Sequence, residues 1–230
     1  MLIYVTSDKC YRNKEWIWGY RENDELGGHD PYSASKAAAE IVFSAYLDSF
    51  YRKREEFGAA SVRAGNVIGG GDWAPDRMVP DCIRALQRGK PISIRNPNST
   101  RPWQHVLDPL SGYLLLAAKL YNHPKGHSGS WNFGPRGEAA RSVQDLTKKV
   151  IESWGEGEIQ IESEEDALHE ARMLHLNCDK AYQMLGWRPR WDFDRAVAET
   201  VRWYKEVYSG GLALEMTREQ IKDYMEARYD

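Results

Sequence analysis

A helical run set between two apolar strand candidates constrains this chain more than any other feature. Leu2, Ile3 and Val5 open the sequence as a buried strand, and Ala59 to Ala64 reads as another. Between them, His29-Asp30-Pro31-Tyr32-Ser33-Ala34-Ser35-Lys36 leads into a helical run ending at Tyr51. Asp30 before Pro31 is the expected cap, and Ala37, Ile41, Ala45 and Phe50 keep helical spacing. Tyr32 and Lys36 stand four apart, which places them on one helix face, about one turn from each other. A phenol is a poor base near neutral pH. An ammonium beside it favours the phenolate and brings general-base work on an alcohol within reach. A tyrosine and a lysine that merely share a helix surface would show the same spacing.

Strand and helix candidates continue to alternate downstream, the pattern of the α/β class. Helices are predicted over Met78 to Arg88, over 109 to 121 with Asp108 as N-cap, and from Ser142-Val143-Gln144-Asp145 to Trp154. Further helices are predicted over Cys178 to Leu185 with a stop at Gly186, over 193 to 208, and after a cap at Thr217-Arg218-Glu219-Gln220. In the helix 193 to 208, Ala196, Val197, Thr200, Val201 and Tyr204 share one side. Pro91 to Arg95, Ser130 to Gly134, Ile159 to Ile161 and Met173 to Asn177 read as short strands, and Asn96 to Thr100 as a turn. Gly69-Gly70-Gly71-Asp72-Trp73-Ala74 formally fits a dinucleotide-binding turn. Pro75 follows it, however, and residues 88 to 95 offer no acid, so a loop carrying Asn66 is the better reading.

Composition narrows the function classes. A net charge of −3 offers no broad attraction to nucleic acid or anionic membrane. No apolar run reaches the length of a membrane span, and no basic-then-apolar leader opens the chain, so the cytoplasm is the default location. Cys10, Cys82 and Cys178 are too few and too scattered for a disulfide framework or a zinc site. Asn98-Ser99-Thr100 matches a glycosylation sequon that, without a secretion signal, is expected to stay idle.

Tyr32-x-x-x-Lys36, in its Pro-Tyr-x-x-Ser-Lys setting, resembles the active-site helix of the extended short-chain dehydrogenase/reductases that act on nucleotide sugars. Val5-Thr6-Ser7-Asp8-Lys9-Cys10-Tyr11 is similar to the Ser-Thr-Asp-Glu-Val-Tyr segment of the 4,6-dehydratases, with Lys9 in place of the glutamate. That variant marks the CDP-glucose 4,6-dehydratases. Trp16 to Asn23, Gly65 to Trp73 and Thr100 to Val106 resemble the same family, and the likeness runs from Val5 to about Tyr204.

The resemblance implies the C-terminal portion of a Rossmann-like parallel sheet, residues 1–66. It also implies a smaller α/β substrate domain, 67–210, with helix 109–121 packing back on the first part and a helical tail, 211–230. The nucleotide-binding half with its Gly-x-x-Gly-x-x-Gly turn is expected to be missing, which makes the chain a fragment that binds NAD weakly on its own. In the complete enzyme NAD is the implied cofactor. Tyr32 and Lys36 would act at the sugar and nicotinamide ribose, Ser7 at the C4 oxygen, Asp8 as acid, and Lys9 as base or charge stabiliser. Arg101 and Arg172 would hold the diphosphate, where a guanidinium grips oxygens bidentately, although a surface ion pair would equally account for Arg101. Asn66, Arg77 and His105 complete the expected substrate contacts. The aromatic-rich loop 12 to 31, with Trp16, Trp18 and Tyr20, is either a wall of the sugar site or a packed surface loop. The implied partners are a nucleotide sugar and a second or further copies of the chain in a homodimer or tetramer, with no nucleic acid and no membrane. Two other readings stay open: a sugar-nucleotide epimerase, and an inactive truncated or nucleotide-sugar-binding module.

Overall fold

The computed structural model describes residues 1–135, 140–162 and 174–227. In chain order the elements begin with β1 (Leu2–Val5), α1 (Pro31–Tyr46), β2 (Ala59–Arg63), β3 (Val67–Ile68), α2 (Met78–Gln87) and β4 (Ile92–Ile94). There follow β5 (Thr100–Pro102), β6 (Gln104–His105), α3 (Leu107–Asn122), α4 (Pro124–His127), β7 (Gly129–Asn132) and β8 (Ala140–Ser142). The last are α5 (Val143–Trp154), β9 (Ile159–Ile161), α6 (Phe193–Tyr208) and α7 (Ala213–Glu226). They divide between two compact units, the first made of Met1–Gly65, Asp108–Gly137 and Leu174–Pro189, the second of Asn66–Leu107, Glu138–Met173 and Arg190–Asp230.

The first unit is built on a parallel sheet in the order β1-β2-β7, with Leu2 opposite Ala59 and Val62 opposite Trp131. Every residue of β2 is buried, as expected of a central parallel strand. Val62, Leu116, Leu120, Trp131, Phe133 and Trp187 form the heart of its core. Asp30 caps α1 and Pro31 opens it, as the sequence predicts. Of the apolar residues predicted at helical spacing only Ala37 faces inward. Ser33, Ala37, Glu40, Phe43 and, just beyond the helix, Leu47 are buried, while Ile41 and Phe50 lie exposed. The stretch expected to form a strand before Cys178 contributes one bridge, Leu176 to Tyr20. In the loop 12 to 31, Tyr20 is buried and Trp16 packs on the same core, whereas Ile17 and Trp18 point outward.

In the second unit β3 pairs with β6 and β4 with β9 in parallel, and β5 with β8 antiparallel. Ile83, Ile92, Ile94, Leu146, Val150, Val197 and Val201 supply its core from α2, β4, α5 and α6. Ser142 and Asp145 close a reciprocal capping box on α5, and Asp192 caps α6. The predicted inward face of α6 is the observed one. Two expected caps fail. Asp108, which belongs to the first unit, is the second residue of α3 and fully buried, since the helix starts at Leu107, two residues before the expected 109. Thr217 lies inside α7, and its hydroxyl bonds back to the Ala213 carbonyl at 2.8 Å, the habit of an interior threonine. The tail helix packs on α6 through Met216, Gln220 and Tyr224. At Gly70 a Cβ would lie 2.1 Å from the Trp203 ring, so this glycine serves close packing of α6. The glycines open no helix, because α2 begins at Met78.

Candidate active site

Backbone pairing carries β1 past its last residue. Thr6 N–H donates to the Val62 carbonyl at 2.9 Å and Asp8 N–H to that of Ala64 at 3.2 Å. The chain then closes into one tight turn, Asp8–Cys10, capped by Ser7. Ser7 Oγ accepts the Lys9 N–H at 3.2 Å and donates to Asp8 Oδ1 at 3.0 Å. Asp8 is buried. A Cβ on Gly65 would stand 1.8 Å from its Oδ2, so only glycine leaves the carboxylate room over the end of β2.

The Asp8–Cys10 turn packs on α1, which brings Ser7, Asp8 and Lys9 beside the helix that carries Tyr32 and Lys36. Tyr32 is 57% exposed, and the half-buried Lys36 ammonium stands 5.5 Å from its ring centroid. The helix entry is fixed by Asp30, which accepts the Ser33 N–H at 3.0 Å and the Ser33 hydroxyl at 2.6 Å. Those bonds, with the nearby Lys9 charge, hold the Asp30 carboxyl below the usual carboxylate range.

Beneath these groups lies a buried charged cluster that sequence reasoning missed. Glu40, on α1, accepts hydrogen bonds from Arg63 Nη2 at 2.6 Å, from Ser61 Oγ at 2.8 Å and from the Thr6 hydroxyl. Arg63 also donates from Nη1 to the Tyr11 hydroxyl at 2.6 Å and to the Glu22 carbonyl at 3.1 Å. Burial pushes the Glu40 carboxyl up, but Arg63, Thr6 and Ser61 more than offset this and leave it below its ordinary range. A lone acid on the inward face of an alanine-rich helix, and a lone base ending an apolar strand, were the available signals. Burial lifts the Cys10 and Cys82 thiols to about 12, which leaves them inert.

The remaining predicted residues that the structure describes lie in the second unit. Asn66 has a left-handed backbone, φ 50°, and its carbonyl accepts the Gln104 N–H at 3.2 Å. Arg77 precedes α2 and pairs with Asp72 at 2.9 Å on the surface. Arg101, on β5, is half-buried and donates to the Thr100 carbonyl at 2.9 Å. Arg172 lies outside the described residues. His105, expected at the substrate, is enclosed: its Nδ1 accepts the Leu107 N–H at 3.3 Å and its ring lies 4.6 Å from that of Trp191. Burial depresses this imidazole from 6.5 to about 3. Lowering the pH from 6.5 toward 3 is therefore expected to drain stability, because the unfolded chain takes up a proton that folded His105 refuses. Urea midpoints across that range, for the parent and for His105→Asn, check this. The variant should lose part of the slope.

Among the described residues no helix is long and apolar enough to cross a membrane, and no group of three or more His, Cys, Asp or Glu side chains could hold a metal ion. The sequence model of the GDP-mannose 4,6 dehydratase family matches residues 2–200. The chain belongs to that family. It is 47% identical to the CDP-glucose 4,6-dehydratase of Salmonella typhimurium over 230 residues, covering 98% of this chain and 64% of that relative. The chain thus spans less than two thirds of the length of this family member. The dTDP-glucose 4,6-dehydratase of Bacillus anthracis, solved in complex with NAD, superposes with a TM-score of 0.73 at 21% identity, over 91% of this chain and 63% of that one. The UDP-glucose-4-epimerase of Stenotrophomonas maltophila, solved with bound NAD, gives 0.75 at 18% identity, over 92% and 65%. The fold is accordingly the Rossmann-like α/β fold of these solved enzymes.

Proposed function

We propose that the protein carrying this chain catalyses the NAD-dependent 4,6-dehydration of a nucleotide sugar, CDP-glucose, to its 4-keto-6-deoxy product. The observation that carries the reading is the packing of the Ser7-Asp8-Lys9 turn against the helix of Tyr32 and Lys36. The 47% identity to a CDP-glucose 4,6-dehydratase supports the choice of sugar nucleotide.

The residues present fit the nicotinamide end of NAD, since a phenol and an ammonium share one open face of α1. NAD bound there would accept the C4 hydride and give it back to C6 once water is lost, which leaves the cofactor unchanged overall. Tyr32 takes the proton of the C4 hydroxyl, Ser7 hydrogen-bonds the C4 oxygen, and Lys36 holds the ribose. With C4 at the ketone level the C5 proton is acidic, and Lys9 removes it or stabilises the enolate. Asp8, hydrogen-bonded to Ser7 and shielded from water, protonates the departing C6 hydroxyl. Arg101 and Arg172 serve the diphosphate, with Asn66 and Arg77 at the nucleotide sugar. The exposed apolar residues Ile41, Val42, Tyr46 and Phe50 of α1 and its extension support a homodimer or larger assembly. Three buried free thiols fit the reducing cytoplasm.

The test is incubation with CDP-glucose and NAD, following the keto sugar by its alkaline absorbance. Asp8→Asn is expected to reduce NAD transiently yet to form the keto-deoxy product at least about a hundredfold more slowly, the scale of a lost general acid. Dehydration by Asp8→Asn at the parent rate would reduce the Asp8-Lys9 pair to a structural strand end.

A further inference from the structure

We propose that Glu40 and Arg63 are positioning residues, which lock the Tyr32–Lys36 face of α1 in register with the Ser7-Asp8-Lys9 turn. The proposal rests on the dehydratase reading of those five residues. Glu40 lies one turn beyond Lys36 and two beyond Tyr32 on the same helix, but faces inward, 1% exposed. Its two oxygens serve different elements. Oε1 takes the Thr6 hydroxyl, one residue before Ser7, and Oε2 takes Arg63 and Ser61 of β2. Arg63, 2% exposed, reaches on through Nη1 to Tyr11, the residue that ends the Asp8–Cys10 turn, and through Nη2 to Ser130 Oγ on β7 at 3.0 Å. Tyr11 in turn donates to Asn132 Oδ1 at 2.8 Å. One ion pair therefore touches the segment before the turn, the residue after it, the helix beside it, and the other two strands of the sheet.

A buried ion pair is a poor device for stability alone, because apolar groups of similar volume do as well or better in a core. It is a good device for register, since a hydrogen-bonded carboxylate accepts only one arrangement of its donors, whereas apolar faces slide. The register matters here because a misplacement of about 1 Å between reacting groups costs on the order of a hundredfold in rate.

The double variant Glu40→Leu/Arg63→Met removes both charges while keeping an apolar core, and Thr6→Val removes only the tie to the strand end. The double variant is expected to unfold cooperatively, to keep its KM for CDP-glucose within about threefold, and to lose about ten- to a hundredfold in kcat. Thr6→Val should lose about fivefold or more in kcat, again at unchanged KM. Amide hydrogen exchange over residues 6–10 and 31–36 should quicken by about tenfold or more in both variants, while that of Ala60 to Val62 stays put. Parent-like kcat in a folded double variant overturns the proposal, even where exchange has quickened. If the double variant does not fold, Thr6→Val decides by the same readouts. If the parent itself fails to turn over CDP-glucose, the functional reading falls, and the exchange measurement alone decides whether the pair fixes the register.

Discussion

Tyr32→Phe is expected to lower CDP-glucose turnover by at least about a hundredfold, the scale of a lost general base, and to leave folding stability within about 0.5 kcal/mol of the parent. The two expectations come from one observation. The Tyr32 side chain is more than half exposed, and no described residue hydrogen-bonds its hydroxyl, so the fold does not depend on the oxygen that is removed. Among the residues of its helix face, only this group combines a removable proton with the Lys36 ammonium beside the ring. Steady-state kinetics and a urea titration on the same preparation check both halves. Turnover above about a hundredth of the parent rate would return Tyr32 and Lys36 to two residues sharing a helix surface.

Arg63→Met is expected to destabilise the fold by about 3–5 kcal/mol, because it leaves the Glu40 carboxylate buried without its counter-charge. That is a large part of the roughly 5–15 kcal/mol that holds a typical domain together. It should also reverse a pH dependence. In the parent, the Glu40 carboxyl lies below its unfolded value, so its contribution is whole above that value and is lost as the pH falls through the folded one. Without Arg63 the burial remains, and the folded carboxyl rises above the unfolded value. Its contribution is then whole in acid and lost as the pH rises through the raised value. Denaturation midpoints between about pH 4 and 8 would show this as a variant that gains relative stability in acid (an expected window set by the ~4.3 of a free glutamate). Adding Glu40→Leu should restore most of the loss.

What the sequence made legible follows from how local each signal is. The caps Asp30 and Ser142 and the inward stripe of α6 depend on residues within a turn or two of each other, and spacing alone finds them. Ser7-Asp8-Lys9 and Tyr32-x-x-x-Lys36 are each contiguous, so the family resemblance can single them out, and the roles given to them are those proposed above. The inward face of α1 was misread because apolar Ile41 and Phe50 repeat at helical spacing, while the face that is buried carries Ser33 and Glu40. Glu40 is tolerated there only because Arg63, 23 positions away, meets it. No window along the chain contains that pairing. The α7 start was missed for a related reason: Leu212 stands at the N-cap without a side-chain bond, and the cap-like Thr217 is an interior threonine that also accepts the Trp203 Nε1–H at 2.9 Å.

One hydrogen, followed through the reaction, separates a 4,6-dehydratase from its nearest rival most directly. CDP-glucose deuterated at C4 is incubated with the protein and NAD, and the product is read by nuclear magnetic resonance. A 4,6-dehydratase built on Tyr32, Asp8 and Lys9 moves that hydrogen within one sugar, so the deuterium should appear at C6 of a 4-keto-6-deoxy product. Deuterium returned to C4 of an intact hexose would mark an epimerase, and would contradict the roles proposed for Asp8 and Lys9.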